Sequence, residues 1–156
     1  MNEKFEFTGK VKVVLGVTLN QIRAVADFAG VVKGEIGGWI AKEANLQVSG
    51  NAWVSGNARV SGNAWVSGDA QVYGNAQVYG NARVSDGPWE QSPLYIQGTM
   101  HGVTNGKPGH LSIGCECHTF EVWQRDFRTI GKRHDYTDAQ IEEYGHIIAL
   151  AIEIGR

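Results

Sequence analysis

Cys115, Cys117 and His118 stand together in "LSIGCECHTF", with His101 and His110 a short distance upstream. Thiolates and imidazoles are zinc ligands, and a thiolate beside an imidazole is a nucleophile. On a strand, Cys115 and Cys117 share one face and His118 takes the other. A closed zinc site would need two further ligands, for which His101 and His110 are the candidates. The spacing is not that of the common structural zinc patterns. No third group or oxyanion device accompanies a Cys–His pair. The expectation is two buried or half-buried thiols in a small core, with no metal, no cofactor and no catalytic residue. Tyr136, between Asp135 and Asp138, reads as a helix start with solvated acids.

A second set of residues has binding rather than catalytic chemistry. Trp53, Arg59, Trp65, Gln71, Gln77 and Arg83 recur every six residues, each just before a valine, and Tyr73 and Tyr79 each follow one. Aromatic faces stack on planar rings. Arginine forks onto phosphate oxygens, and glutamine amides bond a base edge or a ribose. Residues 48–84 hold only three charged side chains, Arg59, Asp69 and Arg83. A freely solvated surface of that size carries more charge. Aromatics plus arginine with little other charge is interface composition.

The elements that must position these side chains follow from the repeat. Val48, Val54, Val60, Val66, Val72, Val78 and Val84 form one series, and Ala52, Ala58, Ala64, Ala70, Ala76 and Ala82 a second. Gly-Asn or Gly-Asp pairs fall between them. No helix has a six-residue period, whereas a two- or three-residue strand with a tight corner does. Valine favours extended backbone, Gly and Asn turn it, and alanine fits inside a corner. Three such sides make a triangular coil of about 18 residues, with coils about 4.8 Å apart joined by parallel hydrogen bonds. Position i then stacks on i+18: Trp53 under Gln71 under Trp89, Arg59 under Gln77, and Trp65 under Arg83. Ile40, Ala44 and Leu46 supply part of an earlier coil, with a two-residue slip before Val48.

This pattern resembles hexapeptide-repeat left-handed parallel β-helices. Upstream, "QIRAVADFAGVVKGEIGGWIAKEANL" followed by "GNAWVSGNA" resembles small phage and prophage proteins labelled polymer-forming or hexapeptide-transferase-like. Their chains often close with a Cys-x-Cys strand and a helical tail, like "LSIGCECHTF" and "DAQIEEYGHIIALAIEI" here. The resemblance implies a homotrimer with parallel axes and, because its label is structural, says little about function. Acyltransferases of this fold need a histidine base near the coils, and γ-class carbonic anhydrases need three coil histidines around zinc. No histidine precedes His101, which argues against both activities.

The flanks complete the expected plan: N-terminal strands over residues 1–39, hexads over 40–88 and an α+β cap over 89–156. "KFEFTGKVKVV" and "QIRAVADF" read as strands. "PLYIQGTMHGV" and "HLSIGCECHTF" read as a hairpin turning at Asn105-Gly106. Phe120, Trp123, Phe127 and Ile130 have helical spacing. Thr137 with Gln140 is a capping box opening a helix whose buried stripe is Ile141, Tyr144, Ile148, Ala151 and Ile152.

The bulk numbers bound the partners. At 156 residues and a net charge of −2 the chain has no basic stripe, so duplex nucleic acid is not expected. No apolar run approaches a membrane span, and residues 1–20 lack a secretory signal. A cytoplasmic protein of a bacterial host is expected. Its fold class is mainly β, a short left-handed β-helix with an α+β cap. Its expected function is non-enzymatic: a phage-type oligomer that takes a nucleotide-like small molecule at inter-subunit clefts through Trp53, Arg59, Trp65, Gln71, Tyr73, Gln77, Tyr79 and Arg83, in counter-defence. The alternatives are an inhibitor of a host defence protein, a diverged acyltransferase or nucleotide hydrolase using His101, His110 or His118, and a structural polymer.

Overall fold

A computed structural model describes residues 2–155 and divides the chain into two compact units, 1–93 and 94–156. The first unit opens with a β-hairpin, β1 (Phe5–Val14) and β2 (Val17–Ala24), followed by β3 (Ile36–Ile40). Seven two-residue strands come next: β4 (Trp53–Val54), β5 (Arg59–Val60), β6 (Trp65–Val66), β7 (Gln71–Val72), β8 (Gln77–Val78), β9 (Arg83–Val84) and β10 (Pro88–Trp89).

The hexad pattern produces these strands as expected. Each valine from Val54 to Val84 is fully buried, and each alanine from Ala52 to Ala82 is buried in a corner. The glycines of the corners take positive φ. Strands three hexads apart pair in parallel, β4 with β7, β5 with β8 and β6 with β9. The ladder continues through the corners, for example from the Asn57 amide to the Gly74 carbonyl at 3.0 Å. Inside the stack the valines are buried, and the backbone polar groups bond to the neighbouring coil, as burial requires.

The first and last turns depart from the 18-residue rule. Ile40 pairs with Val60 and Leu46 bridges to Val66, each twenty residues apart. The two extra residues lie between Leu46 and Val54, and Val48, expected to open the buried series, is 45 % exposed. Ala44, expected inside a corner, is exposed as well, because a short 3-10 turn (Glu43–Asn45) puts Asn45 there instead. The Asn45 amide donates to the carbonyls of Gly62 at 3.2 Å and Ala64 at 2.7 Å, and its oxygen accepts from the Lys42 amide at 3.0 Å. The side chain thus makes the ladder bonds that the turned backbone cannot. At the other end, Pro88 and not Trp89 pairs with Gln71, and Trp89 pairs with Val72. The cause is the corner Ser85-Asp86-Gly87, one residue shorter than Ser67-Gly68-Asp69-Ala70, which pulls the next strand back by one position.

The hairpin extends one face of the stack sideways, in the order β1-β2-β3-β5-β8. β2 runs antiparallel to β3 and covers its free edge. Open strand edges are liabilities, so the N-terminal strands do the capping expected of residues 5–28.

The second unit is a four-stranded antiparallel meander, β11 (Tyr95–Gln97), β12 (Gly102–Lys107), β13 (His110–Ile113) and β14 (Glu116–Thr119), with two helices, α1 (Phe120–Arg133) and α2 (Asp138–Glu153). The expected turn at Asn105-Gly106 is not there. Both residues lie inside β12, and the chain reverses at Pro108-Gly109. Asn105 is fully buried, and its side-chain oxygen accepts from the Leu94 amide at 2.6 Å. A local turn preference has lost to a tertiary hydrogen bond. Thr119 caps α1, and Thr137 with Gln140 forms the expected box at the start of α2. Val103, Leu111, Ile113, Trp123, Ile130, Tyr144, Ile148 and Ala151 make this unit's core. The Trp123 indole N–H donates to the Leu111 carbonyl at 2.8 Å.

Candidate functional site

The eight residues singled out from the repeat are divided among the three sides of the coil. Trp53, Gln71 and Tyr73 belong to one side, Trp65 and Arg83 to another, and Arg59, Gln77 and Tyr79 to the third. On the first side Trp53 does not point to solvent. It is only 2 % exposed, with the Phe28 ring edge-on at 5.4 Å. Gln71 there donates its amide to the Asn51 carbonyl at 2.8 Å, and Tyr73 is half-buried. On the second side the Arg83 guanidinium lies 6.0 Å from the centre of the Trp65 ring, both exposed.

The third side faces a groove. One wall is the hairpin, through Val14, Leu15, Val17 and Leu19, and the other is the coil stack, through Arg59, Ser61, Gln77, Val78 and Tyr79. Its volume of about 420 Å³ lies within the ordinary range of small-molecule sites. The two walls follow from the sheet order, because the hairpin that caps β3 stands beside the outward side chains of β5 and β8. Tyr79 is 61 % exposed and Leu15 at the hairpin tip fully so. Among the described residues nothing buries these apolar surfaces.

The electrostatics of this face are cationic. Trp39, Arg59 and Gln77 are in register across β3, β5 and β8. The Lys12 ammonium sits 4.0 Å from the centre of the Trp39 ring. Lys12 lies opposite Leu19 in the hairpin, on the face that forms the wall. Its pKa is pushed below the ordinary lysine value, first by desolvation and then by the charge of Arg59. Among the described residues no carboxylate lies within ion-pair distance of either cation. Arginine and lysine side chains can donate to an anion and a tyrosine face can stack on a ring, and two such cations lie here beside an exposed tyrosine and a glutamine.

Of the eight residues expected from the repeat, Arg59, Gln77 and Tyr79 line this groove, together with Leu15, Val17 and Leu19, which the repeat does not mark. In "KVKVVLGVTL" the pairing of Lys12 with Leu19 and of Val14 with Val17 puts these four side chains on one face of the hairpin and Val11 and Val13 on the other.

The cysteine cluster is rearranged. Cys115 and Cys117 are both exposed free thiols, not core residues. Cys115 falls in the turn between β13 and β14, and Cys117 lies on the solvent side of the last strand of the meander, where nothing covers it. Among the described residues no three His, Cys, Asp or Glu side chains are grouped to hold a metal ion. His110 bonds the Pro108 carbonyl at 2.9 Å. His118 and His134 donate to Glu116 at 2.7 and 2.8 Å, and Arg133 donates to it at 2.5 Å.

These donors, His134 first and then Arg133, hold the Glu116 carboxyl down at about 2, against an ordinary value of 4.5. A depressed folded-state pKa gives stability that is complete above the unfolded value and is lost as pH falls through the folded one. The Glu116 contribution is therefore expected to fade between 4.5 and about 2. Thermal melts of wild type and Glu116→Gln over that window check this: the variant is expected to lose less stability on acidification. Parallel curves would remove Glu116 as the cause.

Residues 52–68 and 76–90 match the family model described as YdcK Beta solenoid repeat. That match covers part of the stacked coils and supports a β-solenoid-like repeat there, in a β-rich chain that ends in a two-helix segment. No curated protein matches the chain at a significant level. No helix among the described residues is long and apolar enough to cross a membrane.

Proposed function

We propose that the protein is a non-enzymatic binding protein whose solenoid takes a nucleotide-like anion in the groove between hairpin and coils. The observation that carries this reading is Lys12 over the Trp39 ring with Arg59 in register beside Trp39, two cations with no carboxylate within ion-pair distance among the described residues, near the exposed ring of Tyr79. Arg59 and Lys12 take phosphate oxygens, Tyr79 stacks on the base, and Gln77 bonds a polar edge. The uninterrupted hexads favour a left-handed coil, and the exposed Val11, Val13, Leu15, Trp65 and Tyr79 favour a homotrimer with parallel axes, in which a neighbour closes the groove. The resemblance to phage proteins suggests a use for such binding, the removal of a nucleotide immune signal in an infected bacterium.

Isothermal titration with AMP, cyclic AMP and inorganic phosphate tests the site. Arg59→Ala is expected to weaken nucleotide binding by roughly tenfold or more, as loss of a charge-assisted hydrogen bond does, while the oligomer seen by light scattering is unchanged. No nucleotide binding by wild type, or indifference to Arg59→Ala, would overturn the assignment. A protein partner is the second reading. It is favoured by the hairpin tip, where Leu15 is fully exposed at a φ of 50° that leucine rarely adopts.

A further inference from the structure

We propose that Lys4 is a covalent capture site for small uncharged aldehydes, which it holds as an imine in a pocket at the start of the solenoid. Val48, left exposed by the two extra residues after Leu46, lines this pocket with Glu3, Lys4, Asp27, Phe28 and Ser49. Its volume is about 490 Å³. Lysine is seldom buried without a counter-ion, yet Lys4 is only 4 % exposed. An ammonium has three hydrogens to donate. Among the described residues this one meets a single acceptor, the Gln47 carbonyl at 3.1 Å, with the centre of the Phe28 ring 4.9 Å away. Gln47 is itself fixed: its amide donates to the Val66 carbonyl at 2.9 Å, and its side chain bonds the Gly68 amide and Ser49.

The two carboxylates on the lining do not neutralise Lys4. Among the described residues neither Glu3 nor Asp27 lies within ion-pair distance of it, and Asp27 accepts from the Lys33 amide at 2.6 Å. A charge buried with one carbonyl and a ring face is poorly solvated, which favours the neutral amine. Burial accordingly brings the side chain down to about 8, against an ordinary 10.5. A neutral lysine amine is a nucleophile toward a carbonyl carbon. Its nitrogen attacks, the C–N bond forms, and the carbonyl oxygen leaves as water with both amine hydrogens, so the step needs no oxidant or reductant. The walls select the aldehyde. Ala26, Phe28 and Val48 offer apolar contact, and Glu3 and Asp27 oppose a further negative charge. An imine that takes up a proton is a cation, which the same carboxylates and the Phe28 face favour. Nothing in this arrangement depends on the groove beside Arg59.

The test treats the whole protein at neutral pH with propanal, or with the anionic aldehyde glyoxylate, and with cyanoborohydride, which reduces each imine to a stable amine. Tandem mass spectra of the digest place every label and separate the Lys4 side chain from the α-amino group of the chain. With propanal, Lys4 is expected to be labelled roughly tenfold or more faster than the exposed Lys10, Lys33 and Lys132, because far more of it is free amine. With glyoxylate that lead is expected to shrink. In denaturing urea it is expected to vanish, since the pocket that creates it is gone. Arg59→Ala should be labelled at Lys4 as wild type is, which separates this site from the groove. Lys4 labelled no faster than the exposed lysines, a lead that survives urea, or an equal lead with glyoxylate would each overturn the assignment.

Discussion

Alanine at Gly68 is expected to destabilise the solenoid far more than alanine at Gly56, although the two corners have the same backbone. Their φ angles are +60° and +61°. Both substitutions force an L side chain into the left-handed region, at about 1–2 kcal/mol. They differ in what a Cβ would meet. At Gly56 the nearest atom is 3.5 Å away, an ordinary contact, whereas at Gly68 the Ser85 carbonyl oxygen is 2.3 Å away. That oxygen belongs to the shortened corner Ser85-Asp86-Gly87, and it accepts from the Asp69 amide at 3.2 Å. It cannot retreat without breaking the ladder between the coils. Overpacking of a rigid neighbour adds about 1–3 kcal/mol, so Gly68→Ala is expected to cost about 2–5 kcal/mol in total. Denaturant unfolding followed by circular dichroism measures both variants. Equal losses would mean that the short corner yields, and that the backbone at Ser85 is not held by its bonds.

The same corner shows how far the sequence can be read. The hexads dictate the strands, the buried valines and the parallel stacking, because period, β-branching and corner residues all point to one geometry. They do not dictate register where a residue is missing, and so the pairing of Pro88 with Gln71 depends on a deletion whose effect is three-dimensional. Nor do they say what covers an outward slot. The groove arises because β2 pairs with β3, a contact with no local signature, and only that pairing sets Leu19 and Lys12 beside Arg59. In the second unit the Thr137–Gln140 cap is legible because a cap is local chemistry. The Asn105-Gly106 turn was misread because the Asn105 amide is committed to Leu94, eleven residues away.

Trp53 carries the second large effect, and it separates a structural tryptophan from a binding one. Its six-residue spacing groups it with Trp65, yet the chain folds back over it. Phe28 lies against its face, and Gly37 is so close that a Cβ there would come within 2.7 Å of the indole. Trp53→Ala is expected to cost about 3–5 kcal/mol, the usual result of emptying a buried aromatic site. Trp53→Phe should be close to neutral. The indole N–H is buried with no acceptor among the described residues, and removing an unsatisfied donor returns about 1–3 kcal/mol against the volume lost. Nucleotide binding should be unchanged in Trp53→Phe while Arg59→Ala loses it. If Trp53→Phe instead abolished binding with stability intact, the segment around Phe28 would have to open for the ligand, and the first side of the coil would be the binding face. The buried indole and the close approach of Gly37 argue against that opening, because each would leave apolar surface bare in the open state.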